Sequence, residues 1–189
     1  MKNKINYNEP FIVESKTFED ERGYFSVLFV ESDTDFHVVQ DNQSYNKVKN
    51  VFRGMHWQEP PYDQAKLVRC VEGKIVDYVI DIRKYSPTFG KMYAFNLDGS
   101  EKPKWVFIPR GFAHGYLSVS DTSKVEYKVD NFYNKESERG MFITEDVLKD
   151  IYGRVNEDVT DLVLSQKDLS WPTINEIETN FVYNDIDEQ

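Results

Sequence analysis

Residues 53–66 read RGMHWQEPPYDQAK, and the alternating runs on both sides predict two β-strands joined by a turn at the paired prolines. Val51, Arg53 and Met55 stand at alternate positions before the turn, so we expect them to share one face of the first strand. The run after the turn alternates in the same way from Lys66. Arg53 and Lys66 are therefore expected to face one cavity between neighbouring strands.

His56 lies where the first of these strands is expected to end. An imidazole with two cations nearby, Arg53 and Lys66, suits removal of a proton from a carbon acid that carries negative charge. A rim histidine beside solvated charges is the alternative. This stretch alone does not decide between the two interpretations.

Most of the remaining chain predicts short strands. Residues 67–84, LVRCVEGKIVDYVIDIRK, show the clearest pattern, two alternating runs that predict a β-hairpin turning at Glu72 and Gly73. Residues 36–40 predict a strand followed by a polar loop or strand end at 41–44. In the later run KVEYKVDNFY, Tyr127 shares a face with apolar residues and is expected to point inward. Further strands or turns are expected at 20–29 and 86–97, and residues 103–119 are expected to form two strands joined by a Pro-Gly loop that carries His114.

The pattern changes after about Asn134. Residues 145–155 and 174–182 predict short helices or irregular cover, with SQKDLSWP (165–172) between them. Many short strands followed by a partly helical tail predict an all-β jelly-roll barrel or sandwich with short, mainly C-terminal helices. The 189 residues are expected to form a single domain, with a core at about residues 10–172 and a C-terminal tail at 173–189.

Composition excludes several classes of protein. A hydrophobic content of 40% excludes disorder, and a mean hydropathy of −0.62 without a long apolar run predicts no membrane span. The net charge of −10 argues against nucleic-acid polymers and anionic membranes as partners, although a small anionic ligand needs only local positive charge. The single cysteine, Cys70, and an N-terminal sequence without an apolar signal region predict a cytoplasmic protein.

The three histidines do not predict a metal site. His37 sits in an alternating run without charged company and is expected to be structural. His114 ends a Pro-x-Gly-x-x-His pattern that resembles the second motif of the cupin superfamily, and His56 stands where the first cupin motif places its metal-binding histidines. Gln58 takes the place of the second histidine there, and Glu59 comes too early to be the motif's glutamate. Two histidines without a supporting carboxylate make a poor metal site.

Nucleophilic and nucleotide-cofactor chemistry find no support in the sequence. No serine lies in a Gly-x-Ser-x-Gly motif, Cys70 lacks an activating motif, and no glycine-rich phosphate loop is present. What remains is acid–base chemistry by His56, by a phenol such as Tyr127 and by a carboxylate that orients the imidazole.

Several motifs, in one order along the chain, resemble the dTDP-4-dehydrorhamnose 3,5-epimerase family over roughly residues 10 to 172. They are DERGYF (20–25), QDNQSYNKVKNVFRGMHWQEPP (40–61), QAKLVRCVEGKIVDYVIDIRKYSPTFGK (64–91), IPRGFAHGYL (108–117) and YKVDNFYNKESERG (127–140). The resemblance implies a cupin-type jelly roll, a homodimer, and an isomerase that acts on a nucleotide-diphosphate sugar without metal or organic cofactor.

The same resemblance implies roles for individual residues. His56 would be the general base, Asp168 the carboxylate that fixes its tautomer, Tyr127 the acid on the opposite face and Lys66 the cation that stabilises the enolate. A second set would bind the substrate: Arg53 at the diphosphate, His114 at the sugar, and Arg22, Gln40, Asn42 and Tyr133 at the nucleotide.

Some positions depart from the family pattern. Val27 replaces an expected glutamate, Trp57 replaces a tyrosine, Arg110 stands where an acidic residue is more usual, and the stretch 153–168 before Asp168 is longer than usual. The expected reaction is inversion of C3, C5 or both on dTDP-4-dehydro-6-deoxy-D-glucose to give dTDP-4-dehydro-L-rhamnose.

Four alternatives stay open at this point. A GDP- or CDP-linked 4-keto hexose or heptose would keep the chemistry and change the substrate. A ketoisomerase of sugar nucleotides would return the proton on the same side. A non-catalytic sugar-binding cupin would need no acid–base pair, and a cupin oxygenase would need a metal.

Overall fold

A computed structural model describes residues 8–33, 36–155 and 162–184 of the chain. Most of the N-terminal stretch on which the expectation about a secretory signal depends, residues 1–7, lies outside the described residues. Residues 156–161, part of the extended stretch before Asp168, also lie outside them.

Two antiparallel sheets face each other and confirm the expected all-β jelly-roll sandwich. Sheet A contains, in spatial order, β1 (Phe11–Glu14), β9 (Lys104–Ile108), β6 (Lys66–Glu72), β11 (Ser123–Val129) and β4 (Gln40–Asn46). Sheet B contains β12 (Glu138–Gly140), β5 (Phe52–Gln58), β10 (Phe112–Ser118), β7 (Lys74–Asp81) and β8 (Met92–Asp98). A separate hairpin is formed by β2 (Lys16–Asp20) and β3 (Gly23–Val27), and the described residues also form the α-helices α1 (Glu145–Val155) and α2 (Gln166–Leu169).

Apolar side chains fill three layers. Val68 of sheet A and Val79 and Phe112 of sheet B belong to the cluster between the sheets. The outer face of sheet B is covered by α1, whose Val147 and Ile151 join strand residues in a second cluster. A third cluster covers the outer face of sheet A. Because both faces of the central strands are buried, their sequences are nearly continuous apolar runs.

The expected hairpin at residues 67–84 is wrong. Strand β6 pairs with β9 and β11 in sheet A, whereas β7 pairs with β8 and β10 in sheet B. The chain passes from one sheet to the other at Gly73, which has φ +76°. Alternation reports which faces of a strand are buried and carries no information about which strand lies beside it, so a crossover and a hairpin look alike in sequence.

The strand expected at residues 36–40 is also wrong. The strand begins at Gln40 and runs through residues 41–44, which were expected to form a polar loop or strand end, as far as Asn46. Phe36 is 1% exposed and packs in the apolar cluster outside sheet A. Strand β4 is polar on both faces because it lies at the edge of its sheet, with one face toward solvent and the other toward a polar cavity.

Other local expectations are confirmed. The turn at residues 20–23 joins β2 to β3, and the helix expected at 145–155 is α1. Residues 174–182 are irregular cover, and the second helix, α2, lies instead inside the segment SQKDLSWP. Ser165 caps α2 by accepting a hydrogen bond from the amide of Asp168, which explains why the helix begins at Gln166.

Replacing Gly73 by Ala is expected to destabilise the fold. A Cβ at this position would lie 2.1 Å from the carbonyl oxygen of Thr122, and the left-handed backbone alone costs a non-glycine residue about 1–2 kcal/mol. Urea denaturation should therefore show a lower midpoint for Gly73→Ala. Gly153→Ala is the matched control, because Gly153 lies in α1 with open space around it and gains up to about 1 kcal/mol of helix propensity. Equal midpoints for the two variants would contradict this account of the crossover.

Candidate active site

An extra residue in β5 brings Arg53 and His56 to the same face. His114 pairs with His56 and Tyr116 pairs with Arg53, so two steps along β10 match three steps along β5. Such a β-bulge reverses the alternation of side chains. The sequence-based expectation that Met55 shares a face with Arg53 is therefore wrong, since Met55 packs in the cluster outside sheet B.

Two glycines allow the strands to meet at this bulge. A Cβ on Gly54 would lie 2.5 Å from the Cα of Gly115, and a Cβ on Gly115 would lie 2.7 Å from the carbonyl oxygen of Arg53. Gly54 also has φ +127°, a conformation that side chains rarely adopt.

A cavity of about 260 Å³ opens between the two sheets. The structure brings six of the expected site residues together around it and adds four that sequence reasoning missed. The lining residues are Ser44, Arg53, His56, Lys66, His114, Tyr116, Tyr127, Ser165, Lys167 and Asp168.

His56 and Asp168 form a hydrogen-bonded pair across 112 positions of sequence. The Nε2–H of His56 donates to Oδ1 of Asp168 at 2.6 Å, an arrangement in which a neutral imidazole carries its lone pair on Nδ1. Asp168 is 5% exposed. Burial acts to raise the pKa of Asp168, but hydrogen bonds from His56 and Ser165 outweigh it and hold this pKa below its usual value. The carboxylate is therefore charged at neutral pH and can hold the imidazole in one orientation.

A second histidine–aspartate pair lies deeper in the cavity. Nε2–H of His114 donates to Oδ2 of Asp77 at 2.7 Å, and Asp77 is fully buried. Lys66 lies near this pair. Burial lowers the pKa of Lys66 to about 8, against the opposing attraction of Asp77 and Glu138. A poorly solvated ammonium of this kind acts strongly on any negative charge that develops beside it.

Tyr127 enters the cavity from the opposite wall. It belongs to β11 of sheet A, whereas His56 belongs to β5 of sheet B. Burial is the main reason that the pKa of Tyr127 is raised, with a smaller contribution from the neighbouring Tyr116 and an opposing one from Arg53. The phenol is thus protonated at neutral pH and faces the imidazole across the cavity.

A chain of hydrogen bonds holds the guanidinium of Arg53 in place. Its Nε–H donates to Oδ1 of Asn46 at 2.8 Å, and the amide nitrogen of Asn46 donates to the hydroxyl of Tyr116 at 3.2 Å. Tyr116 also shares a hydrogen bond of 2.7 Å with Ser44. These contacts aim a guanidinium at the cavity, where it can meet an anionic ligand.

A third polar cluster lies beside the cavity. Lys167 pairs with Glu138 at 2.6 Å, and the hydroxyl of Tyr133 donates to the same carboxylate at 2.8 Å. Burial opposes ionisation of Glu138, yet these two partners hold its pKa below its usual value. Gln40 accepts a hydrogen bond from the amide of Tyr133 and donates to Asn42 at 2.7 Å. Gln40, Asn42 and Tyr133 are thus linked to one another but are not among the lining residues.

Arg22 lies apart from this site. It stands at the tip of the β2–β3 hairpin, its side chain is 82% exposed, and it pairs with Asp20. Within one chain, the structure does not bring Arg22 to the cavity.

The missed residues carry weak local signals. Ser44 and Tyr116 are ordinary strand residues in sequence, and only their position inside the sandwich makes them part of the site. Ser165 and Lys167 stand beside Asp168 in the segment SQKD, so their proximity to the aspartate was the one signal that could have found them.

Two departures from the family pattern lie outside the cavity. Trp57 packs in the cluster outside sheet B and donates from Nε1 to Glu59. Arg110 bridges Asp63 and Asp130 at 2.9 and 2.8 Å. Neither residue changes the lining. The third, Val27, lies on β3 of the hairpin.

Two further observations concern ligands and membranes. Within residues 8–33, 36–155 and 162–184, no three histidine, cysteine or acidic side chains come close enough together to hold a metal ion. Among these same residues, no helix is both long and apolar enough to cross a membrane.

The facing sheets and the polar cavity between them define a cupin-type jelly-roll protein. The family model described as dTDP-4-dehydrorhamnose 3,5-epimerase matches residues 4–176. The chain belongs to the dTDP-4-dehydrorhamnose 3,5-epimerase family. A protein of that name from Shigella flexneri is 40% identical over 173 residues, which cover 88% of this chain and 92% of that protein.

Solved structures agree in fold. A dTDP-4-dehydrorhamnose 3,5-epimerase from Elizabethkingia anophelis NUHP1 is 38% identical, with a TM-score of 0.76 and coverage of 91% of this chain and 94% of that one. The dTDP-6-deoxy-D-glucose-3,5-epimerase from Legionella pneumophila Philadelphia 1, in complex with dTDP-4-keto-L-rhamnose, is 32% identical. Its TM-score is 0.79, and the match covers 96% of this chain and 97% of that one.

Replacing Lys66 by Met is expected to stabilise the fold at pH 7. The variant removes a charge that burial penalises, and we expect a gain of roughly 1–3 kcal/mol in the free energy of unfolding. The pKa of Lys66 in the folded protein, about 8, lies below its ordinary value of 10.5, so the unfolded chain holds more protons between these values. Wild-type stability should therefore rise relative to the variant from about pH 8 to pH 10.5.

Urea denaturation at pH 7 and at pH 10 measures this difference. Lys124→Met is the control, because Lys124 is more exposed and pairs with Glu72 at the surface. A Lys66→Met variant less stable than wild type at pH 7 would contradict the electrostatic account.

Proposed function

We propose that the protein is an epimerase that inverts C3 and C5 of dTDP-4-dehydro-6-deoxy-D-glucose to give dTDP-4-dehydro-L-rhamnose. The observation that carries the proposal is that the His56–Asp168 pair and Tyr127 line one cavity from facing sheets. Inversion at carbon needs one proton to leave one face and another to arrive at the opposite face. Relatives that are 34–40% identical and named for this reaction support the choice of substrate.

Proton removal is the role proposed for His56. The 4-keto group acidifies the C–H bonds at C3 and C5, because the electron pair left on carbon delocalises onto oxygen. Nδ1 of His56 takes the proton, while Asp168 holds Nε2–H and stabilises the imidazolium that forms. Such a base contributes roughly 10²–10⁴-fold in rate.

The enolate and the return of the proton involve the facing wall. Lys66 stabilises the developing oxyanion, and its poor solvation makes this interaction strong. Tyr127 then donates its proton to the face of the carbon opposite His56. The phenol is a weak acid in the resting enzyme, because burial raises its pKa, so it gives up its proton only as the electron pair returns from oxygen to carbon.

The substrate is held by cations and amides around the mouth of the cavity. Arg53 and Lys167 supply the positive charge for the diphosphate, and His114 borders the sugar. Gln40, Asn42 and Tyr133 form a linked polar surface for the nucleotide. Local positive charge at these positions permits an anionic substrate in a protein of net charge −10.

Proton NMR in D₂O tests the reaction and the base. Incubation of dTDP-4-dehydro-6-deoxy-D-glucose with the wild-type protein is expected to remove both the C3 and C5 proton signals and give an L-configured product. His56→Ala is expected to slow exchange by about 10²–10⁴-fold, because proton removal loses its base, while nucleotide binding persists. His37→Ala is the control, since His37 is exposed and pairs with Glu31 outside the cavity.

Other outcomes would revise the proposal in defined ways. Loss of one signal would mean a single-centre epimerase, and no exchange would direct the search to GDP- or CDP-linked 4-keto sugars. Turnover retained in His56→Ala would contradict the assignment of His56 as the general base. Tyr127→Phe is expected to stop inversion while exchange at one carbon continues, so full epimerisation by this variant would mean that another group is the acid.

A homodimer belongs to the same proposal. Phe18, Tyr24 and Phe25 on the β2–β3 hairpin are 51%, 51% and 68% exposed, which is unusual for a cluster of aromatic residues. Strand β4 forms one edge of sheet A among the described strands and offers backbone groups to a partner strand. Pairing of the hairpin with a second copy would cover these rings and bring Arg22 toward the partner's nucleotide.

A cytoplasmic location is also proposed, in keeping with the buried free thiol of Cys70.

Mixing two inactive variants tests whether Arg22 acts across a dimer. If the partner supplies Arg22, a refolded equal mixture of Arg22→Ala and His56→Ala should regain about one quarter of the sites, those with both intact residues. Activity no greater than the sum of the two separate variants would contradict this. Phe25→Glu should in addition give monomers in light scattering, whereas Tyr85→Glu, at a residue 85% exposed and outside the hairpin, should not.

A further inference from the structure

Behind the His56–Asp168 pair lies the hydroxyl of Ser165. Its O–H donates to Oδ2 of Asp168 at 2.8 Å, while the other carboxylate oxygen accepts from His56. The same hydroxyl accepts the backbone N–H of Asp168 at 3.1 Å. Both oxygens of the carboxylate are thus bound, one on each side.

The backbone that carries Ser165 is bound to the strand that carries His56. Val163, two residues before Ser165, donates its N–H to the carbonyl of Asn50 at 2.9 Å. Its own carbonyl accepts from the amide of Phe52, the first residue of β5, at 3.1 Å. Ser165 and His56 therefore belong to one hydrogen-bonded frame, although they are far apart in sequence.

Binding at both oxygens fixes the plane of the Asp168 carboxylate. The terminal torsion of an aspartate is broad, so a carboxylate with one partner tilts at little cost. The imidazole follows the oxygen to which it donates, and the direction of the Nδ1 lone pair follows the imidazole. A misplacement of about 1 Å at a catalytic group costs as much as 10²-fold in rate.

We propose that Ser165 is a positioning residue for proton abstraction, acting on His56 through the carboxylate of Asp168. This rests on the proposed function of the same site. The hydroxyl also supports the ionised carboxylate, since it is one of the two groups that lower the pKa of Asp168.

The competing role for Ser165 is that of a helix cap. Ser165 is the N-cap of α2, and loss of a capping side chain costs about 1 kcal/mol. Glycine is a far better N-cap than alanine but has no hydroxyl. Threonine keeps the hydroxyl and still caps a helix. A comparison of Ser165→Ala, Ser165→Gly and Ser165→Thr therefore separates helix capping from hydrogen-bond donation to the carboxylate.

The first measurement is steady-state turnover of dTDP-4-dehydro-6-deoxy-D-glucose. Ser165→Ala and Ser165→Gly are both expected to lower kcat by roughly ten- to a hundredfold with little change in KM, and Ser165→Thr to keep kcat near wild type. On an Asp168→Ala background, Ser165→Ala should cause no further loss. Near-wild-type kcat in Ser165→Gly, or an additional loss on the Asp168→Ala background, would overturn the proposal.

The second measurement needs no substrate and so separates this proposal from the proposed function. Nitrogen-15 NMR of the free protein reports which nitrogen of each histidine carries the proton, and His56→Ala identifies the signals of His56. Wild type is expected to show proton on Nε2 and a lone pair on Nδ1, with Ser165→Thr unchanged. Ser165→Ala and Ser165→Gly should shift the His56 signals toward a mixture of tautomers. Unchanged His56 signals in both variants would overturn the positioning role even if the wild-type enzyme turns over the substrate.

Discussion

The extra residue in β5 is the constraint on which the site depends. Without the bulge between Arg53 and His56, these two side chains would point to opposite faces of sheet B, because alternate residues of a strand face opposite ways. Gly54 and Gly115 permit the bulge, since a side chain on either would collide with the backbone of the neighbouring strand. One backbone irregularity thus brings a guanidinium and an imidazole into the same cavity.

The electrostatics of the cavity depend on buried carboxylates that are paired with histidines. Each of the two histidines in the cavity donates a hydrogen bond to a buried carboxylate. This bond orients the imidazole ring and offsets part of the cost of burying the carboxylate charge. Lys66 sits among these groups with a lowered pKa, and burial is the chief cause. The arrangement concentrates a few cations and oriented imidazoles in a protein whose overall charge is strongly negative.

Sequence motifs anticipated the principal groups of the cavity better than they anticipated the fold around it. His56, Lys66, Tyr127, His114, Arg53 and Asp168 line the cavity together, although Asp168 lies 112 positions from its partner His56 in the sequence. The sequence does not reveal the crossover at Gly73, because the residues of β6 and β7 alternate as those of a hairpin would. The full extent of strand β4 is not predicted, because both its faces are polar and the alternation of apolar and polar residues that indicates a strand is missing.

The sequence by itself determined the class of fold, the family and the chemical groups available, because alternation, composition and motif order are local properties of the chain. The tertiary structure alone decided which strands neighbour one another and that the bulge turns Arg53 and His56 the same way. It also decided that Val163 and Asp168 form hydrogen bonds with β5, and that Arg22 lies outside the cavity of its own chain. These features depend on long-range pairing and on backbone approaches of a few ångströms, which no local pattern in the sequence encodes.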